Sequence, residues 1–278
     1  MKNLDISTQR LTLSNKIKEF EKKGWFDVDV NDDPPTRALL VGEVDYKYQK
    51  ISSRFNSWIA NIVASFYFEN LIKKKKLIIK EVIGEHNLLK VKGGAIITCN
   101  HFHPFDNYAV YKACKKYLFN KRLYKVIREG NYTNFPGIYG YFFRNCNTLP
   151  LSSNAQVMKE FNEGLSYHLA KGNKVLIYPE QAMWLNYKKP RPLKDGAFQL
   201  AVKNNVPIIP IFITMEDTTE LDEDNCFVQA YTVHIMSPIG IDNDLTKLEN
   251  IKAMRDKTFK KMKDKYEEVY NIPLTYEG

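Results

Sequence analysis

The residues best suited to chemistry are a histidine and an aspartate five positions apart, His101 and Asp106. They follow an apolar, β-branched run over residues 96–99, which predicts a short strand, and residues 106–119 can form a helix. An aspartate that accepts a hydrogen bond from one imidazole nitrogen fixes the tautomer and leaves the other nitrogen free to take a proton. The pair therefore predicts a general base that activates a hydroxyl group, although a His–Asp pair could instead simply cap the helix.

Three other side chains near this pair are rival candidates. His103 could be the base, but Tyr108 stands at the offset where an aspartate would be needed. Cys99 lies two residues before His101, so along an extended strand the two would face the same side. Cys99 or Cys114 could then be the nucleophile of a thioesterase or thiol hydrolase, with His101 as its base. A small buried strand residue is the simpler interpretation of Cys99.

Polar groups also follow later apolar segments, and ligands of open α/β sheets bind beyond the carboxyl ends of the strands. Residues 137–144 are a glycine-punctuated aromatic stretch that closes with Arg144, whose guanidinium suits phosphate or carboxylate. Residues 174–178 are a predicted buried strand, and Pro179 and Glu180 follow it. Glu180 could accept a hydrogen bond from a substrate hydroxyl or orient a neighbouring cation. Four cations within seven residues could form an anion-binding rim: Lys188, Lys189, Arg191 and Lys194. Each of these groups also has a plainer interpretation. Arg144 could be a surface arginine, Glu180 could stabilise a helix N-terminus, and the four cations could be a solvated charge run.

Strand and helix patterns alternate from about residue 77 onward. This order predicts an α/β fold, with a single catalytic domain over residues 77–278 and a mostly parallel central sheet flanked by helices. An N-terminal helical segment over residues 1–76 is predicted in addition. The predicted strands cover residues 77–82, 95–99, 122–127, 174–178, 208–214 and 227–236, and the predicted helices cover residues 108–117, 153–170, 196–203 and 245–270.

The N-terminal segment has two predicted helices, separated by a break at residues 31–35. The second, over residues 54–72, carries an aromatic and aliphatic stripe that includes Phe55, Trp58 and Phe66, and residues 73–76 are four lysines. An amphipathic aromatic helix beside a cationic run is typical of a segment that lies in a membrane interface. A core-packing helix followed by a solvated loop fits the same pattern, so both interpretations stay open.

Composition limits the class of protein and of partner. A chain of 278 residues with 44% hydrophobic content can build one substantial core. Its net charge of +9 favours anionic partners, such as phospholipid surfaces, phosphate-bearing substrates and acidic carrier proteins. No nucleic-acid-binding motif is evident, so no nucleic acid is expected. The four cysteines show no metal-ligand spacing, which predicts no metal site and reduced thiols in a cytoplasmic setting. Neither a signal peptide nor an apolar run of 18 residues is found.

Four blocks, taken in order between about residues 84 and 240, resemble the lysophospholipid acyltransferase family, which contains the bacterial 1-acylglycerol-3-phosphate acyltransferases. The family's first block is Asn-His-x4-Asp, the HX4D motif, its second is a glycine followed by aromatics and an arginine, its third begins Phe-Pro-Glu, and its fourth is Val-Pro-Ile-x-Pro. The matching residues here are Asn100, His101 and Asp106, then Gly137 to Arg144, then Tyr178, Pro179 and Glu180 with Pro192 to Phe198 downstream, and finally Val206 to Pro210.

Two departures from the family pattern affect the acceptor. The Gly-Thr-Arg half of the third block is replaced by residues 181–183, Gln-Ala-Met, so the arginine thought to contact the acceptor phosphate is missing. Lys188, Lys189 or Arg191 could supply that charge from further along the chain. In the second block the glycine-to-arginine spacing differs by one, and Phe143 stands where an aspartate is usual. The acceptor could therefore differ from lysophosphatidic acid.

The resemblance implies transfer of a fatty acyl group from an acyl thioester to a hydroxyl of a glycerol-based lysophospholipid, with lysophosphatidic acid as the first choice of acceptor. His101 would be the general base and Asp106 its partner, while Asn100, Arg144, Glu180 and Lys194 would bind substrate. No cofactor is implied, because acyl-CoA or acyl-carrier protein is a co-substrate. The expected place is the cytoplasmic, inner face of the cell membrane, held peripherally on anionic lipid. The alternatives are a thioesterase that uses Cys99 with His101 and a non-catalytic, basic membrane-binding protein.

Overall fold

A seven-stranded sheet forms the centre of the computed structural model, which describes residues 2–30, 36–222 and 224–277. The strands lie in the order β1-β7-β6-β2-β5-β3-β4. Neighbouring strands are parallel except for β6 and β7, which are antiparallel. The predicted α/β fold with a mostly parallel sheet is therefore confirmed. The strands are β1 (Ile78–Ile83), β2 (Ala95–Thr98), β3 (Leu123–Ile127), β4 (Thr148–Pro150), β5 (Lys174–Ile177), β6 (Ile208–Leu221) and β7 (Phe227–Ile235).

Helices cover both faces of the sheet. They are α1 (Lys2–Lys22), α2 (Ile51–Lys73), α3 (His86–Leu89), α4 (Asp106–Lys115), α5 (Glu129–Thr133), α6 (Gly137–Asn145), α7 (Ala155–Ala170), α8 (Gly196–Lys203) and α9 (Lys247–Tyr270). Because side chains alternate along a strand, Ile97 of β2 packs into a core with α2 and α4, and Ile96 packs into a core with α7, α8 and α9. Strands buried on both faces explain the continuous apolar runs of β2 and β5.

Several elements differ from their predicted form. The strand β4 was not predicted, since only three residues form it between α6 and α7. The glycine-punctuated stretch that ends at Arg144 is the helix α6, and its first residue, Gly137, has a φ of +61°, which favours glycine. Strand β6 runs on to Leu221, well past the predicted end, because its antiparallel pairing with β7 continues as far as Phe227.

The two N-terminal helices pack against the sheet-bearing part of the chain. Ile17 and Phe20 of α1 form a small core with Trp184, while Ala60 of α2 packs against Phe142 of α6. The division at residue 76 stays a prediction, and the predicted break at residues 31–35 lies outside the described residues. Among the helices of the described chain, none is both long enough and apolar enough to cross a membrane.

The aromatic stripe of α2 points away from the core. Trp58 and Phe66 are 59% and 75% exposed, whereas the buried side of the helix includes the small residues Ser57 and Ala60. Ser57 donates a hydrogen bond of 2.8 Å to Asn147, which fixes this rotation of the helix. The stripe therefore lies outside the core, while Phe68 and Leu71 of the same helix are buried in it.

Candidate active site

Four adjacent parallel strands, β2, β5, β3 and β4, end at the same edge of the sheet. The segments that leave these ends contribute His101, Tyr178, Arg128 and Leu151 to the lining of one cavity of about 820 Å³. This is the place at which open α/β sheets bind ligands. The helices α2, α4 and α6, together with the loop before α6, close one side of the cavity with aromatic side chains. These include Phe68, Tyr108, Tyr139 and Phe142 from the helices and Phe135 from the loop.

His101 and Asp106 meet at this edge. The imidazole Nδ1 lies 2.8 Å from Oδ2 of Asp106, whose side chain is fully buried. The same oxygen accepts hydrogen bonds from the backbone amides of Phe102 and His103, at 3.0 and 3.2 Å. None of these donors belongs to α4, and residue 105, at the N-cap position, makes no side-chain capping bond. Asp106 therefore holds the histidine loop, and helix capping does not account for the pair.

Tyr178 is the functional neighbour that sequence reasoning missed. Its hydroxyl donates a hydrogen bond of 2.6 Å to Oδ1 of Asp106. Its ring stacks on the imidazole of His101, with the ring centroids 4.0 Å apart and 19° between the planes. A phenylalanine, the usual residue at this place in the family's third block, could stack in the same way but could not donate. The signal was therefore present in the sequence as a Tyr in place of Phe.

The charge states of the loop follow from its burial. Burial raises the pKa of Asp106, but the His101 imidazole, the Tyr178 hydroxyl and the Phe102 amide lower it by more, so it lies below its usual value. Burial and the Asp106 charge raise the pKa of Tyr178 well above its usual value, so that phenol stays a donor. Burial lowers the pKa of His103 to about 4. Among the described residues no hydrogen bond occupies Nε2 of His101, so an ionised Asp106 leaves that nitrogen as the proton acceptor.

Glu180 and Arg191 form a buried ion pair behind the histidine. They are 2% and 1% exposed, and Nη2 of Arg191 lies 2.8 Å from Oε2 of Glu180. That oxygen also accepts a hydrogen bond of 3.1 Å from the His101 amide, while Nη2 donates to the His101 carbonyl at 3.1 Å. Oε1 of Glu180 accepts from the Arg191 amide. Both carboxylate oxygens thus accept hydrogen bonds from protein groups. The pair also binds both backbone groups of His101, because Glu180 accepts from its amide and Arg191 donates to its carbonyl.

These contacts differ from the substrate contacts that the sequence predicted. Both oxygens of Glu180 accept hydrogen bonds from protein groups. Arg191 is 1% exposed, and neither residue is among the described residues that line the cavity. Their binding of substrate stays a prediction. Asn100 is buried and exchanges two hydrogen bonds with the backbone of Ile213, which joins the end of β2 to β6. Arg144 donates to backbone carbonyls of the segment before α6. Neither Asn100 nor Arg144 is among the described residues that line the cavity.

Two cations stand at the cavity wall with carboxylate partners from the N-terminal segment. Lys194, a predicted substrate-binding residue, does line the cavity, and its Nζ lies 2.7 Å from Asp27. Arg128 was not predicted, although its place directly after a predicted strand could have drawn attention to it; it lies 2.8 Å from Asp29. Lys189, another residue of the predicted cation run, forms an ion pair with the buried Glu21.

The two thiols considered as nucleophiles, Cys99 and Cys114, are buried and are not among the described residues that line the cavity. Cys99 is fully buried and belongs to the core beneath α4. Burial raises its pKa well above the usual value, and burial raises the pKa of Cys114 to about 12. A thiol with a raised pKa is a poor nucleophile at neutral pH. Within the described ranges no cluster of His, Cys, Asp and Glu side chains could hold a metal ion.

Comparison with known proteins identifies an acyltransferase region within the chain. Residues 80–214 match the family model described as Acyltransferase. The crystal structure of the 1-acyl-sn-glycerophosphate (LPA) acyltransferase PlsC from Thermotoga maritima superimposes with a TM-score of 0.53 and 16% identity, over 99% of this chain and 98% of that one. At this identity the likeness shows the fold. A search of curated protein sequences gave no match. The region from residue 80 to residue 214, with His101 and Asp106 inside it, is therefore an acyltransferase domain, and the predicted family resemblance is confirmed.

Proposed function

We propose that this protein transfers a fatty acyl group from an acyl thioester, acyl-CoA or acyl-carrier protein, to a hydroxyl of a glycerol-based lysophospholipid. Lysophosphatidic acid is the acceptor we favour. The observation that supports the proposal best is the chain of hydrogen bonds from Tyr178 through Asp106 to His101, at the wall of a cavity that holds both aromatic side chains and cations.

In the proposed reaction, Nε2 of His101 takes the proton of the acceptor hydroxyl while that oxygen attacks the thioester carbonyl. The imidazolium that forms is stabilised by the ionised Asp106. The tetrahedral intermediate then expels the thiolate, which receives the proton from His101 and leaves as a thiol. The acyl group passes directly between the two substrates, so no covalent bond to the protein is needed.

The cavity suits an amphiphilic acceptor and an acyl chain. Its aromatic wall, formed by α2, α4 and α6, offers apolar surface to hydrocarbon, and it also contains the cations Lys125, Arg128 and Lys194. Apolar walls with a few charged groups are what a ligand with a hydrocarbon part and an anionic part requires. The family's activity and this lining both favour a lysophospholipid over a water-soluble alcohol.

Mass spectrometry of products tests the acceptor. The protein would be given one isotope-labelled acyl thioester with a panel of lysolipids that share a chain length but differ in headgroup. We expect the label in a diacyl lipid, with lysophosphatidic acid the best acceptor. Release of labelled free fatty acid alone, at a rate unaffected by every lysolipid, would contradict acyl transfer and favour a hydrolase.

We further propose that the protein docks peripherally on the inner face of the cell membrane through α2. The exposed stripe of this helix carries Phe55, Trp58 and Phe66, and exposed lysines follow at residues 73–76. Aromatic side chains suit the interface of a bilayer, and each lysine near an anionic leaflet contributes about 1 kcal/mol. The opposite interpretation, a helix packed on the core, would have buried this stripe.

Vesicle pelleting measures this docking. Trp58→Ser combined with Phe66→Ser should lower the fraction bound to anionic vesicles by about tenfold or more, because each large apolar side chain contributes about 1.5–3 kcal/mol on leaving water. Leu248→Ser is the matched control, since Leu248 is equally exposed but lies on α9. Equal binding by the double variant and the control would exclude α2 as the docking helix.

A further inference from the structure

The cavity contains a cation, Lys125, for which the described part of the chain provides no counter-charge. Lys125 lies in β3, between β5 and β4, and its side chain lines the cavity. Among the described residues, its Nζ has no hydrogen bond and no ion pair. The other two cations of the lining differ in this respect, because Arg128 is paired with Asp29 and Lys194 with Asp27.

The surroundings of Lys125 disfavour a charged ammonium that has no counter-charge. Burial lowers the pKa of Lys125, and the ionisable neighbour that counters this shift is the thiol of Cys146, which is itself buried and has a raised pKa. A thiol that keeps its proton provides no counter-charge. The side chain of Lys125 is only partly exposed, and an ammonium that is partly withdrawn from water without a counter-charge is unfavourable. An anion bound from outside would therefore stabilise it.

Lys125 is placed within reach of the proposed chemistry. Its register partner on β5 is Leu176, two residues before Tyr178, which corresponds to about 7 Å along the strand. Leu176 belongs to the core under α2 and α4, the side of the sheet on which Asp106 begins its helix. An anion at Lys125 would therefore lie on the same side of the sheet as the His101 loop.

We propose that Lys125 binds the phosphate of the lysophospholipid acceptor, in place of the arginine missing from residues 181–183. The inference rests on the proposed function and adds the residue that selects for an anionic headgroup. Arg128 and Lys194 contribute less, because each would first have to leave its carboxylate. The phosphate of the acyl donor has the same chemistry, so the test separates the two sources.

Calorimetry on the His101→Ala background gives the test, because binding can then be measured without turnover. We expect Lys125→Met to weaken the binding of lysophosphatidic acid at least tenfold and to leave the binding of the matching monoacylglycerol unchanged. Lys125→Arg, which keeps the charge, should retain most of the affinity. Coenzyme A represents the phosphate of the acyl donor in this test, and it should bind equally well to Lys125→Met and to the parent.

Three results would overturn the inference: unchanged binding of lysophosphatidic acid, an equal loss for monoacylglycerol, or a loss confined to coenzyme A. Thermal unfolding is the control for the fold. Lys125→Met should unfold at a temperature no lower than the parent, because it removes a partly buried charge that has no ion pair among the described residues. Should Lys125→Met not fold, Lys125→Gln replaces it in the same titrations. If the wild-type protein binds lysophosphatidic acid through Lys125 but transfers no acyl group, the proposed function fails and this inference stands.

Discussion

Replacing His101 by alanine is expected to lower the rate of acyl transfer by about 10²- to 10⁴-fold, the usual contribution of a general base. In the proposed mechanism Nε2 accepts the proton of the attacking hydroxyl, while Nδ1 is hydrogen-bonded to Asp106 at 2.8 Å. The alanine removes both functions without disturbing the buried ion pair, since Glu180 and Arg191 contact the backbone of residue 101 and not its side chain. Steady-state kinetics with the preferred lysolipid measure the loss.

The matched control for this substitution is Cys99→Ser. Cys99 is two residues away and buried in the core, so a direct-transfer enzyme should lose little of its rate. A thioesterase with a cysteine nucleophile would show the reverse pattern, with Cys99→Ser inactive. Binding of lipid and unfolding temperature should be close to wild type in His101→Ala, which separates lost chemistry from lost structure. A His101→Ala variant that turns over at the wild-type rate would remove this residue from the mechanism.

The second large effect is expected on stability. Glu180→Gln should lower the free energy of unfolding by about 3–5 kcal/mol, because it leaves the guanidinium of Arg191 buried without its counter-charge. The same substitution also weakens the bond to the His101 amide, so activity should fall with stability. Denaturant unfolding monitored by circular dichroism measures the first effect, and the rate of acyl transfer measures the second.

Two comparisons make this prediction specific. The double variant Glu180→Gln with Arg191→Gln removes both charges of this pair, so it should be more stable than Glu180→Gln alone. Lys263→Gln breaks an exposed pair with Glu267 on α9 and should cost about 0–1 kcal/mol. A Glu180→Gln variant that loses no more stability than Lys263→Gln would show that the buried pair does not hold the histidine loop.

The parts of this fold that the sequence predicts are those with a strong local pattern. Strands β2 and β5 are short apolar runs because both of their faces are covered, and α7 shows its buried stripe through Val157, Phe161 and Leu165. Alternation of such runs predicts a parallel sheet, and a parallel sheet predicts where the site lies. The position of His101 after β2 and of Glu180 after β5 could be derived in this way.

The roles within the site could not be derived, because they depend on contacts between distant segments. Glu180 looked like a substrate ligand until Arg191, eleven residues later, proved to engage both of its oxygens. Asn100 holds the backbone of Ile213, and no pattern local to either residue shows this. Large apolar residues lie on the exposed side of α2, such as Trp58 and Phe66, and also on its buried side, where Phe68 and Leu71 lie. Only the rotation of the helix in the structure shows which of them reach the core. Lys125 is likewise hidden inside an ordinary strand sequence.

The fate of a labelled acyl group during the first turnover tests the central claim most directly. The protein would be mixed with a labelled acyl thioester and lysophosphatidic acid, stopped at successive times, and both the lipids and the intact protein analysed by mass spectrometry. The account predicts that the label moves from the thioester to the lipid without ever residing on the protein, and that this step is slowed in His101→Ala. Label that reaches the protein before the lipid, or a lipid product formed equally fast without His101, would contradict it.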